Sequence, residues 1–166
     1  MTRESYVRMT ESTRSALSRL PGKEALLRLP TYLCAAVYMA ALLFLMLTRD
    51  LRLLRALIVP AACFIVCTIL RPLIGRQRPY DRFSAPPVGD YKPGKGKSMP
   101  SRHTASAAAI AFAIIYVFPS FPVALVMLLL AALIAALRVM SGQHYPSDVF
   151  AALVLSGIIS LAGYLL

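Results

Sequence analysis

His144 lies six residues after Arg138 and four before Asp148, in the segment Arg138-Val-Met-Ser-Gly-Gln-His144-Tyr-Pro-Ser-Asp148. The only other histidine, His103, closes Pro100-Ser101-Arg102-His103. Across the 64 residues from His103 to Leu166, Arg138 and Asp148 are the only charged side chains. Charges this sparse in so apolar a setting are costly unless paired or held at a membrane boundary, which marks the cluster as a functional site. The residue types suit phosphoryl transfer, which needs charge dispersed over the phosphate oxygens and an in-line nucleophile. Arg71, Arg78 and Arg138 offer forked donors, each charge-assisted bond contributing about 1.5–3 kcal/mol. If Ser101 opens a helix, its hydroxyl and the unpaired N–H groups of the first turn add donors at a positive dipole end. Together these form an anion site built without metal ligands. If another helix starts near Pro146, a favoured first-turn residue, Asp148 can reach back to His144. A carboxylate accepting the Nδ1 proton fixes the imidazole tautomer and leaves Nε2 as a nucleophile.

The elements that must position these residues are membrane helices. With 58% hydrophobic and 15% charged residues among 166, the chain is far more apolar than a soluble domain. Apolar runs at 29–48, 53–70, 104–118, 121–137 and 149–166 approach or reach the length that crosses roughly 30 Å of hydrocarbon. The expected fold is all-α, a polytopic transmembrane helical bundle of about five spans, the third being the shortest. Residues 1–28 form a basic N-terminal segment and 29–166 the membrane domain. In the former, Tyr6, Met9, Ala16, Leu20 and Leu26 among arginines suit an interfacial helix broken at Pro21-Gly22, with a disordered basic tail as the alternative. No small-residue cleavage site stands out before the first span, so a removable signal peptide is not expected. If each run crosses once, Arg71 and Arg78, Ser101 to His103, Arg138, His144 and Asp148 all emerge at one surface.

The net charge of +11 is concentrated on that surface. It is not interleaved with stacking aromatics, which argues against nucleic acid and for lipid headgroups or a lipid phosphate as the partner. Even without Arg71, Arg78, Arg102 and Arg138, the site side holds more Lys and Arg than the opposite side, so the positive-inside rule places the site on the cytoplasmic face of a multi-pass membrane protein. Cys34, Cys63 and Cys67 fall within spans and read as small buried residues rather than metal ligands.

Three spaced motifs resemble the type 2 phosphatidic acid phosphatase (PAP2) superfamily. A basic residue, six positions, then Arg-Pro appears as Arg71-Pro-Leu-Ile-Gly-Arg-Gln-Arg78-Pro79. Pro-Ser-Gly-His appears as Pro100-Ser101-Arg102-His103, and Arg, five positions, His, three positions, Asp as Arg138, His144 and Asp148. The resemblance covers Arg71 to Asp148. It implies a cofactor-free, metal-independent lipid phosphatase, in which His144 attacks phosphorus to form a phosphohistidine. His103 then protonates the leaving oxygen and activates water. The family usually has six spans, against five here, and lysine is common at the position of Arg71. Arg102 replaces the motif glycine; it either adds a phosphate contact or narrows the pocket.

Taken alone, Arg71, Arg76 and Arg78 read as the positive flank of a span, His103 as a capping residue, and Tyr80 and Tyr145 as interfacial aromatics. Combined at these spacings, the motifs outweigh those readings. The polar segment 81–98 is expected to be a loop beside the site mouth or a solvated connector. Two functions follow: a phosphatase acting on a lipid phosphate monoester or polyprenyl diphosphate, or a non-catalytic lipid-phosphate binder or transporter. The motifs do not define the oligomeric state.

Overall fold

The structure is a computed structural model that describes residues 1–18, 22–89, 91, 93 and 97–165. Its helices are α1 (Arg3–Ser18), α2 (Lys23–Leu47), α3 (Arg52–Ile74), α4 (Pro79–Phe83), α5 (Arg102–Val117), α6 (Phe121–Met140) and α7 (Pro146–Leu165), with no strand among the described residues. Helices α2, α3, α6 and α7 are long and apolar enough to cross a membrane. Helix α5, with 16 residues, is apolar but about 24 Å long. The chain is therefore the expected all-helical multi-pass bundle, with four helices of spanning length against the five runs expected, and the short apolar helix α5 is the run that hydropathy marked as the shortest. The first span begins before the apolar run does, because Pro30 lies inside α2 and does not end it. A membrane helix tolerates the missing N–H when neighbouring groups compensate.

The short helix α5 is the axis of the bundle and packs against α2, α3, α6 and α7. Its alanines make this possible. Ala107 and Ala111 meet Cys34 and Ala41 of α2 and Met127, Ala131 and Ile134 of α6, whereas Ala105 and Ala109 meet Cys63 and Cys67 of α3 and Ala152 of α7. In hydrocarbon, small residues stabilise a bundle by letting backbones approach and dispersion contacts accumulate. One polar tie reinforces the contact: buried Ser156 donates to the Ala105 carbonyl oxygen at 3.0 Å. At the end away from the histidines, Arg52 pairs with Asp50 at 2.7 Å and donates to the Val117 carbonyl oxygen at 2.9 Å, fastening the α2–α3 turn to the end of α5.

Residues 3–18 form the helix α1. The buried face of α1 differs from the apolar set read from sequence, however. Tyr6, Thr10, Thr13 and Leu17 are buried, Ala16 is exposed, and Leu20 and Pro21 lie outside the described residues. The reason is that α1 packs on protein loops. Tyr6 Oη donates to the carbonyl oxygens of Ala85 at 3.2 Å and Gly142 at 3.4 Å, and Arg14 donates to that of Pro86 at 3.3 Å.

Candidate active site

Each functional side chain sits where a helix begins or ends. Gly75, in the left-handed region at φ 63°, closes α3 by donating its N–H to the Arg71 carbonyl oxygen. This ends the helix one turn after Arg71 and lets Arg76 and Arg78 follow on the same surface. Pro79 then opens α4. Ser101 precedes α5, and its N–H donates to the Asp148 carbonyl oxygen at 3.1 Å, tying the start of α5 to the start of α7. Arg138 lies in the last turn of α6, and its carbonyl oxygen accepts the N–H groups of Gln143 and His144, each at 3.2 Å. The histidine loop is thereby folded back on the end of α6.

These ends enclose a cleft of about 490 Å³, lined by Arg71, Arg78, Lys97, Arg102, His103 and Arg138 together with Tyr80 and Gln143. Arg71 is only 5% exposed; one of its terminal nitrogens donates to the Lys97 carbonyl oxygen, and its Nε has no partner. Arg138 is braced by a 2.9 Å bond to Gln143 Oε1. Four guanidinium groups lining one cleft are suited to an anion with several oxygens.

His144 follows Gln143 and is 1% exposed. Burial holds its imidazole below the usual histidine range; Asp148 opposes that shift, and the nearby Arg78 and Arg71 add to it. The ring is neutral near pH 7, as a nucleophile requires. Its Nδ1 lies 3.6 Å from Asp148 Oδ2, too far for a hydrogen bond, and has no other partner. The fully buried Asp148 is otherwise well supplied. Arg76 donates to Oδ1 at 2.7 Å, whereas the Ser98 hydroxyl and, at 3.0 Å, the Tyr145 N–H donate to Oδ2. Arg76 also donates to Ser147 at 2.8 Å and lies 4.2 Å from the centre of the Tyr145 ring.

Sequence reasoning missed this support. Arg76 is not merely a positive flank, because it pairs with Asp148. Tyr80 and Tyr145 are buried rather than interfacial, one lining the cleft and the other lying beneath Arg76. The signal available was the isolated carboxylate itself: a buried aspartate needs more donors than one imidazole supplies, and Arg76 and Ser98 are close to the first two motifs. Of the residues expected at the site, Arg71, Arg78, Arg102, His103 and Arg138 line the cleft. His144 and Asp148 are buried together, and Ser101, wholly buried, accepts a 3.0 Å bond from Thr104 and does not line the cleft. From the 81–98 loop, Lys97 lines the cleft, whereas Lys92 and Lys95 lie outside the described residues.

The cleft does not end in polar groups. Arg102 and His103 also line an apolar groove of about 320 Å³, between Cys34 and Ala35 of α2, Phe64 of α3, Ile110 of α5 and Ile134 of α6. Farther along, α2, α5 and α6 border a second groove of about 490 Å³ lined by Ala41, Phe44, Ile114 and Met127.

Comparison with known proteins bears on this arrangement. The chain is 36% identical over 101 residues to a lipid A 1-phosphatase of Rhizobium etli, covering 58% of this chain and 42% of that protein. It is 35% identical to the lipid A 1-phosphatase of Rhizobium johnstonii, covering 58% and 40%. It thus spans about two-fifths of the length of these relatives. The fold is similar to that of Aquifex aeolicus LpxE, with a TM-score of 0.68 at 20% identity over 96% of this chain and 92% of that one. A transmembrane PAP2-type phosphatidylglycerolphosphate phosphatase from Bacillus subtilis gives the same TM-score and identity over 97% and 83%. The PAP2 superfamily profile matches residues 52–166, the stretch that carries all three motifs and every helix end bordering the cleft, and the chain belongs to that superfamily.

Proposed function

We propose that this protein is a membrane lipid phosphatase that uses His144 as its nucleophile. The observation that carries the reading is the junction at His103, where one wall serves both a cleft lined by arginines and an apolar groove. Such a junction fits an amphiphile with a phosphate at one end and a hydrocarbon tail at the other. Simple anion binding calls for neither the groove nor a neutral histidine beside a buried carboxylate. The relatives named as lipid A 1-phosphatases support a phosphorylated lipid as the substrate class.

In the proposed reaction, Arg71, Arg78 and Arg138 hold the peripheral oxygens of the phosphoryl group. His144 Nε2 attacks phosphorus, a P–N bond forms and the bond from phosphorus to the lipid oxygen breaks, while His103, which takes up a proton when the bound phosphate's negative charge offsets the arginines around it, gives that oxygen the proton. Water then attacks the phosphohistidine, His103 takes its proton, and the P–N bond breaks to release phosphate and neutral His144. Asp148 fixes the ring, its 3.6 Å separation from Nδ1 closing to hydrogen-bond length when substrate fills the cleft.

The site faces the cytoplasm in this reading. Setting aside the cleft residues and Arg76, the basic residues flanking the site-side helix ends in sequence are Arg3, Arg8, Arg14, Arg19, Lys23, Arg28, Arg82, Lys92 and Lys95, against Arg49, Arg52 and Arg55 at the other side. A cysteine at exposed Ser84, in a background lacking Cys34, Cys63 and Cys67, is expected to resist a membrane-impermeant maleimide in intact cells. Labelling there reverses the orientation.

Phosphate release from phosphatidate, phosphatidylglycerophosphate and undecaprenyl diphosphate by the detergent-purified protein tests the activity, with EDTA present and His144→Ala as control. Release lost in the variant, with an acid-labile, alkali-stable phosphoenzyme in the parent, is expected. Lipid-phosphate binding without release by folded protein would establish the binder or transporter instead.

A further inference from the structure

We propose that Arg102 forms a second anion subsite, on the leaving-group side of the reacting phosphorus, and that the substrate is a lipid diphosphate. The inference rests on the phosphatase reading and deepens it. Arg102 lines the polar cleft and the apolar groove together with His103. No carboxylate pairs with it among the described residues, and its guanidinium carbon lies 5.9 Å from the centre of the Phe64 ring, within cation–π range. The reacting phosphoryl group already has Arg71, Arg78 and Arg138. Arg102 is therefore an additional cation, placed between the cradle and the tail.

What that cation meets depends on the substrate. If His103 protonates the leaving oxygen, its sequence neighbour on the same shared wall lies beside whatever that oxygen is attached to. In a monoester this is carbon, and a guanidinium next to carbon chain loses hydration without gaining an acceptor. In a diphosphate it is the α-phosphorus, whose two non-bridging oxygens match a guanidinium fork. His144 then attacks the β-phosphorus, the bond from it to the bridging oxygen breaks, and the leaving group is a lipid monophosphate. Arg102 stabilises the charge that grows on that group in the transition state, so its effect falls on turnover as well as binding.

A matched pair of substrates tests this: farnesyl diphosphate and farnesyl monophosphate, sharing one tail and one detergent, with initial phosphate release measured for the parent, R102Q, R102G and R102K. The parent is expected to prefer the diphosphate in kcat/KM. The diphosphate-to-monophosphate ratio should fall on the order of tenfold or more in R102Q and R102G and be largely kept in R102K. R102Q retains the side-chain stem if the glycine variant fails to fold. A parent that prefers the monophosphate, or a ratio unchanged in both neutral variants, overturns the subsite while leaving the phosphatase reading intact. A parent that releases phosphate from neither substrate nor from the lipid panel overturns both.

Discussion

Arg76→Gln removes the cation from Asp148 while leaving the anion buried. The two atoms are 2.7 Å apart, Asp148 is wholly buried and the Arg76 side chain is 32% exposed. Breaking a fully buried pair costs about 3–5 kcal/mol, but the exposed side of Arg76 admits water that partly replaces it. The value of one charge-assisted bond, about 1.5–3 kcal/mol, is the appropriate scale. Two donors, Ser98 and the Tyr145 N–H, remain on Oδ2, whereas Oδ1 loses Arg76. Because the Asp148 carboxylate holds the histidine loop through the Tyr145 N–H, the loss should appear in geometry at His144. We expect kcat to fall roughly 10- to 100-fold with KM changed less than threefold, and the melting temperature to drop by several degrees. Arg76→Lys should recover part of kcat through its charge, but not the contacts to Ser147 and Tyr145. Steady-state kinetics and a detergent-solubilised melt read both quantities. A raised KM at unchanged kcat would show that Arg76 binds phosphate directly, and unchanged kinetics and melting would show that the ion pair organises nothing.

Gly142 has φ 76°, and a Cβ there would meet Tyr6 Oη at 2.6 Å and Thr10 Cγ2 at 2.7 Å, so Gly142→Ala should lift α1 from the histidine loop, cost about 2–4 kcal/mol in a thermal melt and depress turnover. Because Arg78 helps hold the His144 imidazole below its usual range, the acid limb of the kcat/KM profile should lie below about pH 6.5 in the parent. In Arg78→Gln the imidazolium is less disfavoured, so that limb should move to higher pH; a limb that stays in place separates Arg78 from the histidine. Ile110→Trp fills the groove beside the cleft and should raise KM for long-chain substrates far more than for a water-soluble phosphate ester, whereas equal effects would exclude the groove as the tail's path.

The sequence by itself determined the class of fold, because crossing hydrocarbon demands long apolar helices that satisfy their own backbone hydrogen bonds, and that demand is local to each segment. It also determined which residues gather at one surface: alternate crossings bring Arg71, Arg78, His103, Arg138, His144 and Asp148 to the same side whatever the packing. Long-range contacts decided the rest. Arg76 sits among residues that any membrane flank might carry, and only the approach of α7 to the end of α3 turns it into the partner of Asp148. Thr10 and Thr13 join Tyr6 and Leu17 on the buried face of α1, a set that no apolar count selects, since Tyr6 is fitted to loops distant in sequence rather than to lipid. The groove that joins the cleft at Arg102 and His103 is a gap between α2, α3, α5 and α6, and a gap is a property of packed surfaces rather than of any one segment.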